Sequence, residues 1–144
     1  MPDRSPLRIL LVEDDAGDAL LVADALDTFG LAESIFHVED GDQALTFLQD
    51  ASSPRPDLVL LDLNLPRVSG HTVLSAVKND QRLSTIPVVV FSTSSNPDDV
   101  QASYGSHANA YVVKPQDIDG YDEVIGAIYR FFDEIALRSP APAA

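Results

Sequence analysis

The sequence contains no cysteine, which excludes disulfides, thiolate-bound metals and a cysteine nucleophile. Basic residues are scarce, 9 lysines and arginines against 23 acids, for a formal net charge of −14. Nucleic acids and anionic membrane surfaces are bound through a basic footprint, so neither is expected as a partner. No apolar run approaches the roughly 20 residues of a membrane-spanning helix. The opening M-P-D-R-S-P is too polar for a secretory signal, and a cytoplasmic location is the default expectation. No repeat or second domain shows in the 144 residues, a length that suits one domain burying roughly two-thirds of its unfolded surface. The acidic balance suits a protein that binds cations or basic patches on partners.

What the chain does contain is short apolar runs alternating with segments of helical period. The organising stretch is residues 58–70, L-V-L-L-D-L-N-L-P-R-V-S-G. Its four apolar residues are too few for a helix and read as a strand buried on both faces, ending at Asp62, after which Pro66 and Gly70 break regular structure. Residues 8–12, 34–38, 88–91 and 110–113 read as the other strands. A first helix over residues 16–29 would face the core with Leu20, Leu21, Ala23, Leu26 and Phe29, with Gly30 as its stop. A second opens at Asp40, with Gln43 completing a capping box. A third carries Val73, Leu74 and Val77. A fourth opens at Asn96-Pro97-Asp98-Asp99 with a capping side chain, an early proline and two acids near the positive end of the dipole. The last runs over residues 118–137. Residues 1–7 read as a disordered lead, 8–138 as the domain and 139–144 as a disordered tail. A fivefold strand–helix rhythm predicts an α/β protein, a doubly wound parallel sheet with right-handed crossovers and helices on both faces.

Four of the five strands end in polar groups of one chemical set: Glu13 and Asp14, then Asp62, Ser92 and Lys114. Alone, Asp62 would as readily be a residue that turns the chain. A parallel sheet brings strand ends to one edge, however, where ligands of open α/β sheets bind. Three carboxylates meeting there repel one another, and their pKa values rise unless a cation is present. All-oxygen ligation with few protein ligands suits Mg²⁺. Lysine and a hydroxyl are poor partners for that cation but good ones for the oxygens of a phosphoryl group. Asp62 is then a nucleophile that forms an aspartyl phosphate.

With these residues in place the chain resembles the receiver domains of two-component response regulators over about residues 8–137. The marks are E-D after the first strand, L-D-L-N-L-P-x-x-x-G after the third, a hydroxyl after the fourth and Y-x-x-K-P at the fifth. V-E-D-D-x-x-D with Asp18, L-S-T-I-P-V-V-V-F-S-T-S and S-Y-G-S-H-A-N-A-Y resemble, more narrowly, the single-domain receivers paired with phytochrome-type sensor kinases. The resemblance implies a flavodoxin-like fold of strand order 2-1-3-4-5. It implies phosphorylation of Asp62 by a sensor histidine kinase and Mg²⁺ on Glu13, Asp14, Asp62 and the backbone carbonyl of Asn64. Ser92 and Lys114 would contact the phosphoryl group, and Tyr111 would be an aromatic switch following Ser92. It also implies a cis bond before Pro115 that aims Lys114 into the crevice. Ser92 departs from the commoner threonine, and Thr93 stands where many receivers keep a smaller residue. Asp15 and Asp18 read as first-turn acids favourable to a helix dipole rather than as ligands. His37, His71 and His107 show no ligand spacing.

A rival reading is a Mg²⁺-dependent phosphohydrolase with the same nucleophile. Such enzymes usually carry a second carboxylate two residues on, where this chain has Asn64, and a cap for which no residues remain. With neither sensing nor DNA-binding residues in view, the expected output is protein contact or onward phosphate transfer. On the last helix, Tyr121, Ile125, Ile128, Phe132 and Ile135 form one stripe at about 100° per residue. Val124 and Phe131 widen it on one flank, which predicts a homodimer through that flank.

Overall fold

A computed structural model describes residues 5–140. Within them the chain runs β1 (Ile9–Val12), α1 (Ala16–Asp27), β2 (Ile35–Val38), α2 (Gly41–Gln49), β3 (Leu58–Leu61), α3 (Gly70–Lys78), β4 (Val88–Ser92), α4 (Pro97–Gly105), β5 (Ala110–Val113) and α5 (Ile118–Arg130). The strands form one parallel sheet in the order β2-β1-β3-β4-β5, the flavodoxin-like arrangement.

β1, β3 and β4 are buried along their whole length, whereas the edge strands β2 and β5 are only partly covered. Strand side chains alternate between faces, so each central strand feeds two cores. Leu10, Val12, Val59, Leu61, Val88 and Val90 meet Ala44 and Leu48 of α2 and Val73, Leu74 and Val77 of α3. Ile9, Leu11, Leu58, Leu60, Val89 and Phe91 meet Val22, Ala25 and Leu26 of α1 and Tyr121 and Ile125 of α5.

Every helix N-terminus lies at the carboxyl edge of the sheet, because each helix follows a strand, and every one is capped. Asp15, Asp40, Ser69, Asn96 and Asp117 accept from the backbone N–H of Asp18, Gln43, Thr72, Asp98 and Gly120. The expected box at α2 closes one residue early, with the Gln43 side chain accepting from the Glu39 N–H at 2.9 Å. Gly30 adopts φ +75°, as a helix stop requires. Gly70 has a different duty. A Cβ there would collide with the carbonyl oxygen of Asp62 and the Cα of Leu63, and its N–H donates to the Leu63 carbonyl at 2.9 Å. Only a residue without a side chain lets α3 begin against the end of β3.

Four expectations are corrected. Leu20 is 59% exposed; Ala19, Val22, Ala25 and Leu26 form the inner face of α1 instead. Adjacent Leu20 and Leu21 point about 100° apart, so they cannot both face inward. Ile135, placed on the buried stripe of the last helix, is 73% exposed. After Arg130 the helix widens into a π turn over Phe131–Ile135, closed by the Ala136 N–H donating to the Phe131 carbonyl at 2.8 Å. The wider turn breaks the 100° phase on which the stripe was drawn. Leu7, assigned to the lead, is buried in the core beside β1. The Lys114–Pro115 bond is trans, as is every peptide bond among the described residues. Trans is the preferred isomer, and Lys114 enters the crevice without the cis bend. The expectations for residues 1–4 and 141–144 lie outside the described residues.

Replacing Gly70 by alanine should destabilise the domain by about 1–3 kcal/mol, the usual range for overpacking, and displace the Asp62 loop. Urea unfolding of Gly70→Ala checks this, and a midpoint equal to wild type contradicts the close approach.

Candidate functional site

The backbone sets the site before any side chain does. The Asp62 N–H donates to the Val12 carbonyl at 3.0 Å, which holds the end of β3 against the end of β1. The Lys114 N–H donates to the Ser92 carbonyl at 2.8 Å, which does the same for β5 and β4. Glu13 is tied on its other side, its N–H donating to the Val38 carbonyl at 3.1 Å and its carbonyl accepting from His37 Nε2 at 2.8 Å.

Within that frame the Lys114 ammonium is the hub. Nζ lies 2.5 Å from Glu13 Oε1, 2.9 Å from Asp18 Oδ2 and 3.1 Å from Asp62 Oδ2, with the lysine side chain 3% exposed. Asp62 Oδ1 accepts from the Asn64 N–H at 3.2 Å, so the nucleophile candidate is braced by its own loop. Asp14 is exposed at the open side. Carboxylate oxygens of Glu13, Asp14 and Asp62 lie within 4.8 Å of one another. Burial pushes the Glu13 carboxyl up to about 8, with the Asp62 charge adding to it and the Lys114 ammonium pulling the other way. Lys114 stands above its usual value. Burial works against its charge, but bonds to Glu13 and Asp18 and the charge of Asp62 more than offset that.

This donor set fits a divalent cation. Three hard carboxylates converge with one of them open to water, so a cation has an entry and room to keep its own waters. A cation's charge is also needed, since one ammonium stands against Asp14, Asp18 and Asp62 even while Glu13 keeps its proton.

The remaining expected residues surround this centre. Ser92 is fully buried at the end of β4, and its hydroxyl accepts from the Ser94 N–H at 3.3 Å. The Tyr111 hydroxyl donates to the Ser94 carbonyl at 2.8 Å, so the aromatic ring is latched to the β4–α4 loop. Ser94 in turn donates to Asp99 Oδ2 at 2.6 Å, and His71 Nε2 reaches Asp99 Oδ1 at 3.3 Å. Those two bonds, that of Ser94 first, hold the Asp99 carboxyl below its ordinary range. An open cleft of about 520 Å³ lies beside Lys114, lined by Asp18, Thr93, Gln116 and Tyr121 among others.

Asp18 is the site residue that sequence reasoning missed. As a first-turn acid it suits the helix dipole, yet it sits on Lys114. The available signal was its place in the first turn of α1, which begins at the strand end carrying Glu13 and Asp14.

This combination defines a class. The chain belongs to the response regulator receiver domain family, whose pattern it matches over residues 9–125. Among relatives it is 42% identical to the response regulator Rcp1 of Synechocystis sp., covering 93% of this chain and 95% of that one. It is 39% identical to the probable methanogenesis regulatory protein FilR2 of Methanothrix harundinacea, covering 96% and 90%. The structure of the phosphorylated cyanobacterial phytochrome response regulator RcpA superposes with a TM-score of 0.89 at 37% identity, covering 94% of this chain and all of that one. The Mn²⁺-bound form of Rcp1 superposes with a TM-score of 0.84 at 40% identity, covering 96% and 100%. No helix among the described residues is long and apolar enough to cross a membrane.

The raised Glu13 pKa has a pH signature. Between its ordinary 4.5 and about 8 the folded protein holds a proton that the unfolded chain lacks. The stability this group contributes is therefore full below about 4.5 and is lost as pH rises through about 8. Melts of metal-free protein from pH 5 to 8.5 should show that loss, and Glu13→Gln should lack it. A divalent cation bound at pH 7 should expel the proton, visible by calorimetry in buffers of different ionisation heat. Equal heats in both buffers contradict the assignment.

Proposed function

We propose that the protein is a phosphorylation-controlled interaction module that accepts a phosphoryl group on Asp62 from a sensor histidine kinase. The observation that carries this reading is the Lys114 ammonium on Asp62 Oδ2 at 3.1 Å, with Asp62 Oδ1 braced by Asn64 and an acid cluster alongside. An Asp62 oxygen attacks phosphorus in line, forming an O–P bond as the N–P bond to the kinase histidine breaks. Glu13, Asp14, Asp62 and the Asn64 carbonyl would hold Mg²⁺, which neutralises the phosphoryl oxygens. Lys114 and the Ser92 hydroxyl bind the remaining oxygens. For Ser92 this means turning from the Ser94 N–H, and Tyr111, held by the same Ser94, follows. The chain catalyses no reaction beyond its own phosphorylation and dephosphorylation. The likeness to the phytochrome response regulator RcpA favours a phytochrome-type kinase as donor, with output through protein contact or phosphorelay rather than DNA.

The second element of the reading is a homodimer through α5. Phe131 is 48% exposed, packed edge-on against Phe132 at 5.0 Å between ring centroids. Beside it runs an apolar groove of about 500 Å³ along Val89, Ala110, Val112, Ile128 and Phe132. Val124, expected on the same flank, is half-buried and packs against the inner core as Ile128 and Phe132 do, but it does not line the groove. It neighbours Ile125 and stands three residues after Tyr121, close to the buried side. The patch is thus Phe131 and the groove, a surface a second copy can match across a two-fold axis.

Wild type should take up labelled phosphate from acetyl phosphate in a Mg²⁺-dependent way, and Asp62→Asn should take up none. Undiminished uptake in the variant contradicts the phosphoacceptor assignment. At tens of micromolar, sedimentation should show a dimer for wild type and a monomer for Phe131→Asp. The same state for both overturns the interface.

A further inference from the structure

Lys114 has a partner that phosphoryl acceptance does not use. Asp18 Oδ2 is 2.9 Å from Nζ, and Asp18 Oδ1 accepts from the Tyr121 hydroxyl at 3.2 Å. Its backbone N–H is taken by the Asp15 cap at 2.9 Å. Both oxygens are thus fixed by groups from other elements, the end of β5 and the first turn of α5, and the side chain is only 28% exposed. An acid serving a helix dipole alone would be turned to water.

The geometry divides the lysine between two roles. An ammonium has three donors, and here Glu13, Asp18 and Asp62 occupy them. Of these carboxylates, Glu13 and Asp62 belong to the set that fits a cation, and Asp18 does not. A cation that takes the first two as ligands leaves Asp18 as the acid on Lys114. A phosphoryl group on Asp62 then brings three acceptor oxygens and about two negative charges to the same ammonium.

We propose that Asp18, oriented by Tyr121, is a positioning residue that holds Lys114 between phosphorylations and competes with the incoming phosphoryl group for it. This rests on the phosphoacceptor reading above. Asp18 opposes the phosphoryl group twice, by occupying its cation and by adding a negative charge nearby. Engagement of Lys114 by the phosphoryl group releases Asp18, and with it the Tyr121 hydroxyl of α5.

The test is a titration with beryllofluoride in the presence of Mg²⁺, which builds a phosphoryl-like adduct on a carboxylate without turnover. Asp18→Asn keeps the shape and removes the charge. It should bind the adduct about tenfold more tightly than wild type, the scale of one charge-assisted hydrogen bond at a partly exposed site. Asp18→Glu should return the affinity towards wild type. Tyr121→Phe should tighten binding about two- to threefold, and adding it to Asp18→Asn should give no further gain. A residue that merely supported the fold would weaken binding when replaced. Unchanged or weaker binding by Asp18→Asn, with wild type still forming the adduct, overturns this proposal and leaves the phosphoacceptor reading standing. Wild type forming no adduct overturns both. Should Asp18→Asn fail to fold, Tyr121→Phe decides, and an affinity equal to wild type overturns the proposal.

Discussion

The Lys114 ammonium, closed off from water among Glu13, Asp18 and Asp62, is the interaction on which the carboxyl edge of the sheet depends. Carboxylates as buried as Glu13 and Asp62 are costly in any protein, and so is a buried ammonium; each is tolerable only because the other is there. The pairing also constrains the fold. Lys114 and Glu13 come from opposite ends of the chain, and they meet only if β5 lies beside β4 and β3 beside β1. The hydrogen bonds from Lys114 to Ser92 and from Asp62 to Val12 express that requirement in the backbone. Neutralisation remains incomplete, because burial still lifts Glu13 towards 8. A site left short of positive charge attracts a cation, and that shortage is the physical basis for reading it as a phosphoryl-transfer centre.

Around this hub the molecule divides into firm and lightly held parts. The central strands and the inner faces of α1, α2, α3 and α5 are packed into two cores. α4 buries only Ser103 and is tied down chiefly by polar contacts at its start. Tyr111, Ser94, Asp99 and His71 form that network, and the Ser94 N–H ties it to the Ser92 hydroxyl. A change at Ser92 therefore acts on the element with the least apolar burial to resist it. α5 is reached by another route, since Tyr121 meets Asp18 inside while Phe131 faces outward.

Much of this was legible in the residues, for definite reasons. Fully buried strands need unbroken apolar runs, so L-V-L-L and V-V-V-F stood out, and their polar endings named Asp62 and Ser92. Asp40 and Asn96 were readable as caps because capping is local chemistry. What escaped depended on tertiary choice. Nothing in the spacing of Leu20, Leu21 and Val22 says which of them α5 will cover. The π turn after Arg130 leaves Phe132 against the core but carries Ile135 out to water, without any proline or glycine to announce it. Asp18 could be placed on its helix but not on Lys114, whose position was known only to the nearest strand end. The Lys114–Pro115 bond, expected to be cis by resemblance, is trans while the ammonium reaches the same crevice.

The central claim is that one carboxylate among several neighbours, that of Asp62, becomes the acyl phosphate. Treating the phosphorylated protein with borotritide reduces an acyl phosphate to a labelled alcohol and marks the residue that carried it. Peptide mapping should find the label at Asp62 alone. Label at Glu13, Asp14 or Asp18, or none in a protein that has taken up phosphate, would contradict the account.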